Sequence, residues 1–190
     1  MMKTTSIIAS LLILSATTFA QSWTVDKVHS RLGYGVTHMG ISESEGSFKD
    51  YTAKITSSKE DFSDAVVELT ANVASINTEN EQRDGHLKSP DFFDAAKYPT
   101  LTFKSTSFKK VGDKQYKVTG DLTLHGVTKP VTLDVVLNGT TTNPMSKKTV
   151  AGFKITGTIK RADFGVAAGM PTAMLGDEVA IRANTEFIKD

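Results

Sequence analysis

The chain has 190 residues, with 22 Lys plus Arg against 21 Asp plus Glu and no cysteine. The missing cysteine excludes disulfides, thiolate metal sites, cysteine nucleophiles and a cysteine-linked lipid anchor. A leader containing only Lys3 as its charge would leave 21 charges of each sign, and a neutral chain with no basic run has no field for nucleic acid or an anionic membrane.

Residues 1–20 have the three zones of a cleavable export signal: Lys3, the apolar run from Ile7 to Leu14, and the small-residue site Thr18-Phe19-Ala20. The run is too short for a hydrocarbon core of about 30 Å, and no later stretch approaches the roughly 20 apolar residues of a spanning helix. No integral membrane segment is expected, and residues 21–190 are expected to form one domain.

From residue 22 onward the dominant period is two, which is strand patterning. It is seen in Trp23–Val25, in Leu32, Tyr34 and Val36, over Phe48 to Ile55, and in Val67, Leu69, Ala71 and Val73. A polar segment then breaks the alternation. Thr78 followed by Glu81 reads as a capping box, predicting a helix over about 79–88. Ser89-Pro90 reads as a second helix start, ended at Tyr98-Pro99.

Alternation resumes with Leu101 and Phe103, then Tyr116, Val118, Leu122 and Leu124. It continues in Val131, Leu133, Val135 and Leu137, in Phe153, Ile155 and Ile159, and in Val179, Ile181 and Phe187. About nine strands result. Gly112-Asp113, Gly126 with Pro130, and Asn138-Gly139 mark reversals that favour antiparallel neighbours. Asn138-Gly139-Thr140 also matches a glycosylation acceptor, although a turn accounts for it.

A sheet of that many strands with one apolar face must pair with a second sheet or curl into a barrel. Glycines within strands, at 33, 35, 120, 152 and 157, suit sharp bends of a barrel wall or close backbone approach. The expected fold is therefore all-β: a lipocalin-like antiparallel β-barrel of eight to nine strands with a short helical insertion.

Site chemistry is sparse. His29, His38, His86 and His125 have no metal-ligand spacing, so no metal is expected. No nucleophile elbow is present, and the serines have no partnered His and carboxylate near them in sequence, so no acyl-transfer site is expected. Arg83-Asp84-Gly85-His86-Leu87 is the densest polar group. It reads either as a solvated helix face or as a polar gate at the barrel mouth.

Several longer motifs carry a family resemblance. They are Trp23-Thr-Val-Asp26-Lys-Val-His29-Ser30, Val36-Thr-His38-Met-Gly40 and Gly46-Ser-Phe48, then the run from Arg83 to Phe93 and Tyr98-Pro99-Thr-Leu-Thr-Phe103. Gly120 to Pro130, containing His125-Gly126, and Arg161-Ala-Asp163-Phe164-Gly165 complete the set. In this order they resemble the YceI-like family of bacterial exported proteins. The resemblance implies a periplasmic barrel carrying a polyisoprenoid or related amphiphile, with no cofactor, and it implies that two copies can pair.

The expected ligand-binding positions are Leu32, Tyr34, Val36, His38, Leu69, Phe103, Val118, Leu122, Leu133, Val135, Phe153, Ile155 and Ile181, with Arg83, Leu87, Phe92 and Phe93 of the insertion. About 20 buried ligand carbons at roughly 0.8 kcal/mol each would give a gross 16 kcal/mol, so the tail can dominate affinity. Two other readings remain open at this level. One is an enzyme on an apolar substrate, with His38 or His86 as base and Arg83 holding an anion. The other is a barrel filled by its own side chains, serving as a stress or adhesion module.

Overall fold

The computed structural model describes residues 20–190; the expected export signal lies outside them apart from Ala20. Among the described residues ten strands form in chain order. They are β1 (Gln21–His38), β2 (Ser42–Phe48), β3 (Tyr51–Ser57), β4 (Val66–Asn72), β5 (Ile76–Asn77), β6 (Thr100–Gly112), β7 (Gln115–Leu124), β8 (Val127–Thr142), β9 (Thr149–Lys160) and β10 (Leu175–Lys189). One α-helix, α1 (Glu81–Lys88), lies between β5 and β6. No helix among the described residues is long and apolar enough to cross a membrane.

The sheet order is β10-β9-β8-β7-β6-β4-β3-β1, and β1 pairs with β10 to close the ring. All of these pairings are antiparallel. Closure joins the first and last of the described strands: Trp23 faces Lys189, and the Asp190 amide donates to the Ser22 carbonyl at 3.0 Å. The fold is thus an eight-stranded barrel, and β2 and β5 are two extra strands. Pairing of β1 with β10 leaves neither outer strand of the ring as a free edge to aggregate.

β1 is a single bent strand where the alternation suggests two. Its lower half pairs with β3 and its upper half with β2, and a bulge lies at residues 27–30. The Asp26–Ser30 motif pins that bulge. Asp26 accepts from the Val28 amide (2.9 Å) and bonds His29 Nδ1 (2.8 Å), while Ser30 Oγ accepts from the Glu186 amide (2.9 Å).

Turn chemistry sets the remaining corners. His125 and Gly126 both have positive φ (52° and 74°), as a two-residue type I′ hairpin requires. Asn138-Gly139, expected to be a turn, is instead a bulge inside β8, where the register shifts between Leu137 and Gly139. The chain reverses later, where Asn143 Oδ1 accepts from Met145 and Ser146. A bulge and a turn draw on the same residue types, since both need permissive backbone. The β6–β7 reversal also moves by one residue, because Gly112 faces Gln115 across Asp113-Lys114.

The insertion differs from the capping-box expectation. Asn80 is the helix cap, accepting from the Arg83 amide at 2.9 Å. Thr78 is held by Asp84, to which its amide and hydroxyl donate at 2.8 and 2.6 Å. Ser89-Pro90 starts turns and no second helix, with Phe92, Phe93 and Asp94 bonded back to Ser89 and Leu87.

Candidate functional site: an apolar cavity with a polar mouth

The inward faces of the strands leave a cavity of about 460 Å³, within the roughly 300–1,000 Å³ of small-molecule sites. All seventeen expected positions line it: Leu32, Tyr34, Val36, His38, Leu69, Arg83, Leu87, Phe92, Phe93, Phe103, Val118, Leu122, Leu133, Val135, Phe153, Ile155 and Ile181. A barrel filled by its own side chains does not leave such a space. Room comes partly from glycine at two inward positions. The Phe103 ring covers Gly120, where an added Cβ would lie 2.4 Å from Cζ, and a Leu133 methyl covers Gly157 at 2.5 Å. These glycines accommodate neighbouring side chains, so close packing, and not wall bending, accounts for them.

One end is a floor. The loop after β3 brings in Phe62, only 1% exposed, whose ring stacks 5.1 Å from both Trp23 and Phe153; Phe153 lies 5.9 Å from Phe187. Tyr116 anchors that loop by donating its hydroxyl to the Asp61 carbonyl. Phe62 takes a positive φ (57°), a local strain that its two aromatic contacts, with Trp23 and Phe153, offset.

The opposite end is a mouth, lined in part by exposed His38, Glu45, His86 and Met174. The insertion forms one side. Leu87, Phe92 and Phe93 turn to the cavity, and Phe93 continues an aromatic row with Phe48 (6.1 Å) and Tyr34 (6.1 Å from Phe48). Arg83 stands at the rim as expected, but it also supports the turn. Its Nε donates to Thr78 Oγ1 and its Nη2 to the Thr78 carbonyl, each at 2.8 Å. Burial, reinforced by the Asp84 charge and opposed by Arg83, pushes the Tyr34 phenol up to about 12, so this throat hydroxyl stays neutral. His86 packs edge-on against Phe92 at 4.7 Å with Asp91 4.0 Å away.

The other side of the mouth was not legible from periodicity. The loop between β9 and β10 contributes Val166, Met170 and Met174 to the lining. Arg161, 5% exposed, organises it by donating to five carbonyls: Gly176 (3.0 Å), Val166 (3.3 Å), Ala167 (2.6 Å), Met170 (2.7 Å) and Leu175 (3.0 Å). His125 Nδ1 lies 3.2 Å from the Phe164 carbonyl and ties the β7–β8 turn to this loop, while Tyr98 stacks on His125 at 4.6 Å. Three motifs therefore meet at the mouth through structural bonds.

The chain matches the YceI-like domain over residues 23–187. It belongs to the YceI-like family. It is 40% identical to Protein YceI of Escherichia coli O157:H7 over 167 residues, 87% of this chain and 86% of that one. It is 39% identical to Protein YceI of Salmonella arizonae over 176 residues, covering 92% and 91%. Among solved structures, Burkholderia cenocepacia BcnA superposes with TM-score 0.76 at 26% identity, over 85% of this chain and 98% of that one. A Campylobacter jejuni YceI protein superposes at 0.74 with 36% identity, over 81% and 90%. A Saccharophagus degradans domain described as polyisoprenoid binding shares the fold, with TM-score 0.64 at 19% identity over 88% and 98%. The lipocalin-like YceI barrel is thus the fold of this chain.

Proposed function

We propose that this YceI-like barrel is an exported, non-enzymatic carrier or store that holds one long-chain amphiphile, an isoprenoid or similar lipid, tail inward. The observation that carries the reading is an apolar cavity floored by aromatics at one end and ringed by polar groups at the other. Burial of a chain in such a space releases about 0.8 kcal/mol per CH₂ before ordering costs. A phosphate or carboxylate buried without partners would cost far more than it gains. A head group is therefore favoured at the rim, beside Arg83, His86 and the Tyr34 hydroxyl. Export to the periplasm rests on the signal pattern of residues 1–20. The polyisoprenoid named for the Saccharophagus domain suggests the class to test first.

Organic extraction of the purified protein followed by mass spectrometry tests the reading directly, and displacement of a fluorescent lipid gives affinities. Phe92→Ala should weaken charged and neutral lipids alike. Arg83→Ala should weaken a phosphate- or carboxylate-bearing lipid more than an uncharged one of equal length. Equal losses would mean that Arg83 serves only the Thr78 turn. No extractable lipid and no displacement by any lipid would overturn the carrier reading.

A further inference from the structure

The barrel wall is not uniformly sealed. The β8–β9 ladder runs from the Thr142–Thr149 pair to Asp134–Thr156 and stops there. Beyond that point β8 keeps its pairing with β7 to Val127–Leu124, and β9 keeps its pairing with β10 to Lys160–Glu178. The two strands splay apart towards the mouth, just past Gly157, whose missing side chain lets Leu133 fold across the point of separation. Pro130, paired with Asp121 of β7, lies in the stretch of β8 that has no β9 partner and has no N–H to offer one, which suits a strand edge left open. A cleft of about 480 Å³ occupies the seam on the outside.

Val131 and Ile159 line both this cleft and the inner cavity. Both are only half-buried. Polar groups stand at the outer margin, and Lys129 Nζ reaches across to Asp163 Oδ1 at 2.9 Å. Both members of that pair are about half exposed, so it is a weak latch whose removal changes opening only a few-fold.

We infer that the β8–β9 seam is a lateral portal, through which the hydrocarbon chain of the lipid passes sideways between Val131 and Ile159 with the Lys129–Asp163 pair as its latch. This rests on the carrier reading. A long chain fed end-on through the mouth must leave its membrane or micelle completely before its leading end reaches the floor. Passage through the seam, once it parts and the Lys129–Asp163 pair and the His125 Nδ1–Phe164 carbonyl contact (3.2 Å) that cross it give way, lets the chain enter along its length, shedding water over apolar side chains as it goes. Parting of the strands breaks no ladder hydrogen bond there, because the ladder has already ended.

The absence of cysteine makes a specific test available. Thr132 and Thr158 would be the facing pair if the register continued, both are exposed, and both line the cleft but not the cavity. The Thr132→Cys/Thr158→Cys protein is bridged with dibromobimane, and uptake and release of cis-parinaric acid are followed by stopped-flow fluorescence beside the unbridged protein. Bridging should slow both rates at least tenfold with equilibrium affinity within about twofold. Asp163→Asn should raise both rates about two- to fivefold, the range expected of an exposed ion pair. The swapped pair Lys129→Asp/Asp163→Lys should return them to the starting value. Unchanged rates on bridging, with binding intact, would overturn the portal and leave the carrier reading standing. Failure of the unmodified protein to take up the probe at all would overturn both.

Discussion

Arg161 offers the most direct test of how the mouth is built. Replacing it with Met keeps the bulk of the side chain and removes five hydrogen bonds from a site only 5% exposed. Hydrogen bonds to a charged group contribute about 1.5–3 kcal/mol each, and five of them would rival the whole stability of a domain, about 5–15 kcal/mol. The sum therefore overstates the loss. The Val166, Ala167 and Met170 carbonyls belong to a loop that can turn to water when released. The Leu175 and Gly176 carbonyls are held more firmly, because β10 is already paired with β1 at Leu175–His38 and enters its ladder with β9 at Glu178. Two stranded carbonyls at about 1–3 kcal/mol each put the loss for Arg161→Met at about 2–6 kcal/mol. Arg161→Lys, with three donors on one nitrogen, should lose about half as much. Urea unfolding gives the stability change, and hydrogen exchange should show protection vanishing over residues 165–176 while the floor stays protected. A loss under about 1 kcal/mol, or unchanged exchange in that loop, would refute the view that Arg161 holds the mouth together.

Phe153→Ala should cost about 3–5 kcal/mol, because a ring only 2% exposed is lost and with it an aromatic partner of both Phe62 and Phe187. In displacement assays the deepened floor should shift preference towards longer chains. Gly120→Ala should destabilise by about 1–3 kcal/mol, since its Cβ meets the Lys104 backbone oxygen at 2.5 Å as well as the Phe103 ring. Gly157→Ala meets only a movable Leu133 methyl, and thermal unfolding should separate the two. At the β1 bulge, the hydrogen bond that the His29 imidazole donates to the Asp26 carboxylate raises the His29 pKa, and the same bond lowers that of Asp26. The stabilisation from His29 is present below its unfolded value near 6.5 and fades as pH rises through its raised folded value; that from Asp26 is present above 3.8 and fades as pH falls through its lowered one. An NMR titration should show the His29 pKa falling back towards 6.5 in Asp26→Asn, and no movement would refute the pairing.

Legibility from the sequence followed the physics of each element. Inward faces such as Leu133-Val135 and Phe153-Ile155 could be read because one side of a barrel strand is buried along its length, so the period of two records burial. The helix could be placed but its start could not: Thr78, Asn80 and Asp84 can all cap or accept, and only three-dimensional packing decided that Thr78 is held by Asp84 and that Asn80 takes the end. Asn138-Gly139 failed for the same kind of reason, a local preference that a bulge and a turn share. The Met170–Met174 side of the mouth left no periodic trace, because its shape is imposed by Arg161 from a distance in sequence. The motif Arg161-Ala-Asp163-Phe164-Gly165 did signal that something there mattered, and its visible role is to build the mouth.

The pairing of β1 with β10 makes the wall a ring whose closing strand is synthesised after all its other strands. Trp23 waits for Lys189 and Tyr34 for Ile181, so a nascent chain can form its hairpins but cannot seal the container until nearly all of it has emerged. Such long-range closure is a slow step in folding, and truncation within β10 should leave an open, sticky sheet in place of a smaller barrel. The same adjacency makes the fold a candidate for circular permutation. With Ser22 and Asp190 already hydrogen-bonded neighbours, a short peptide joining them and a new opening in the exposed 143–148 reversal would reorder the chain while leaving every wall contact in place.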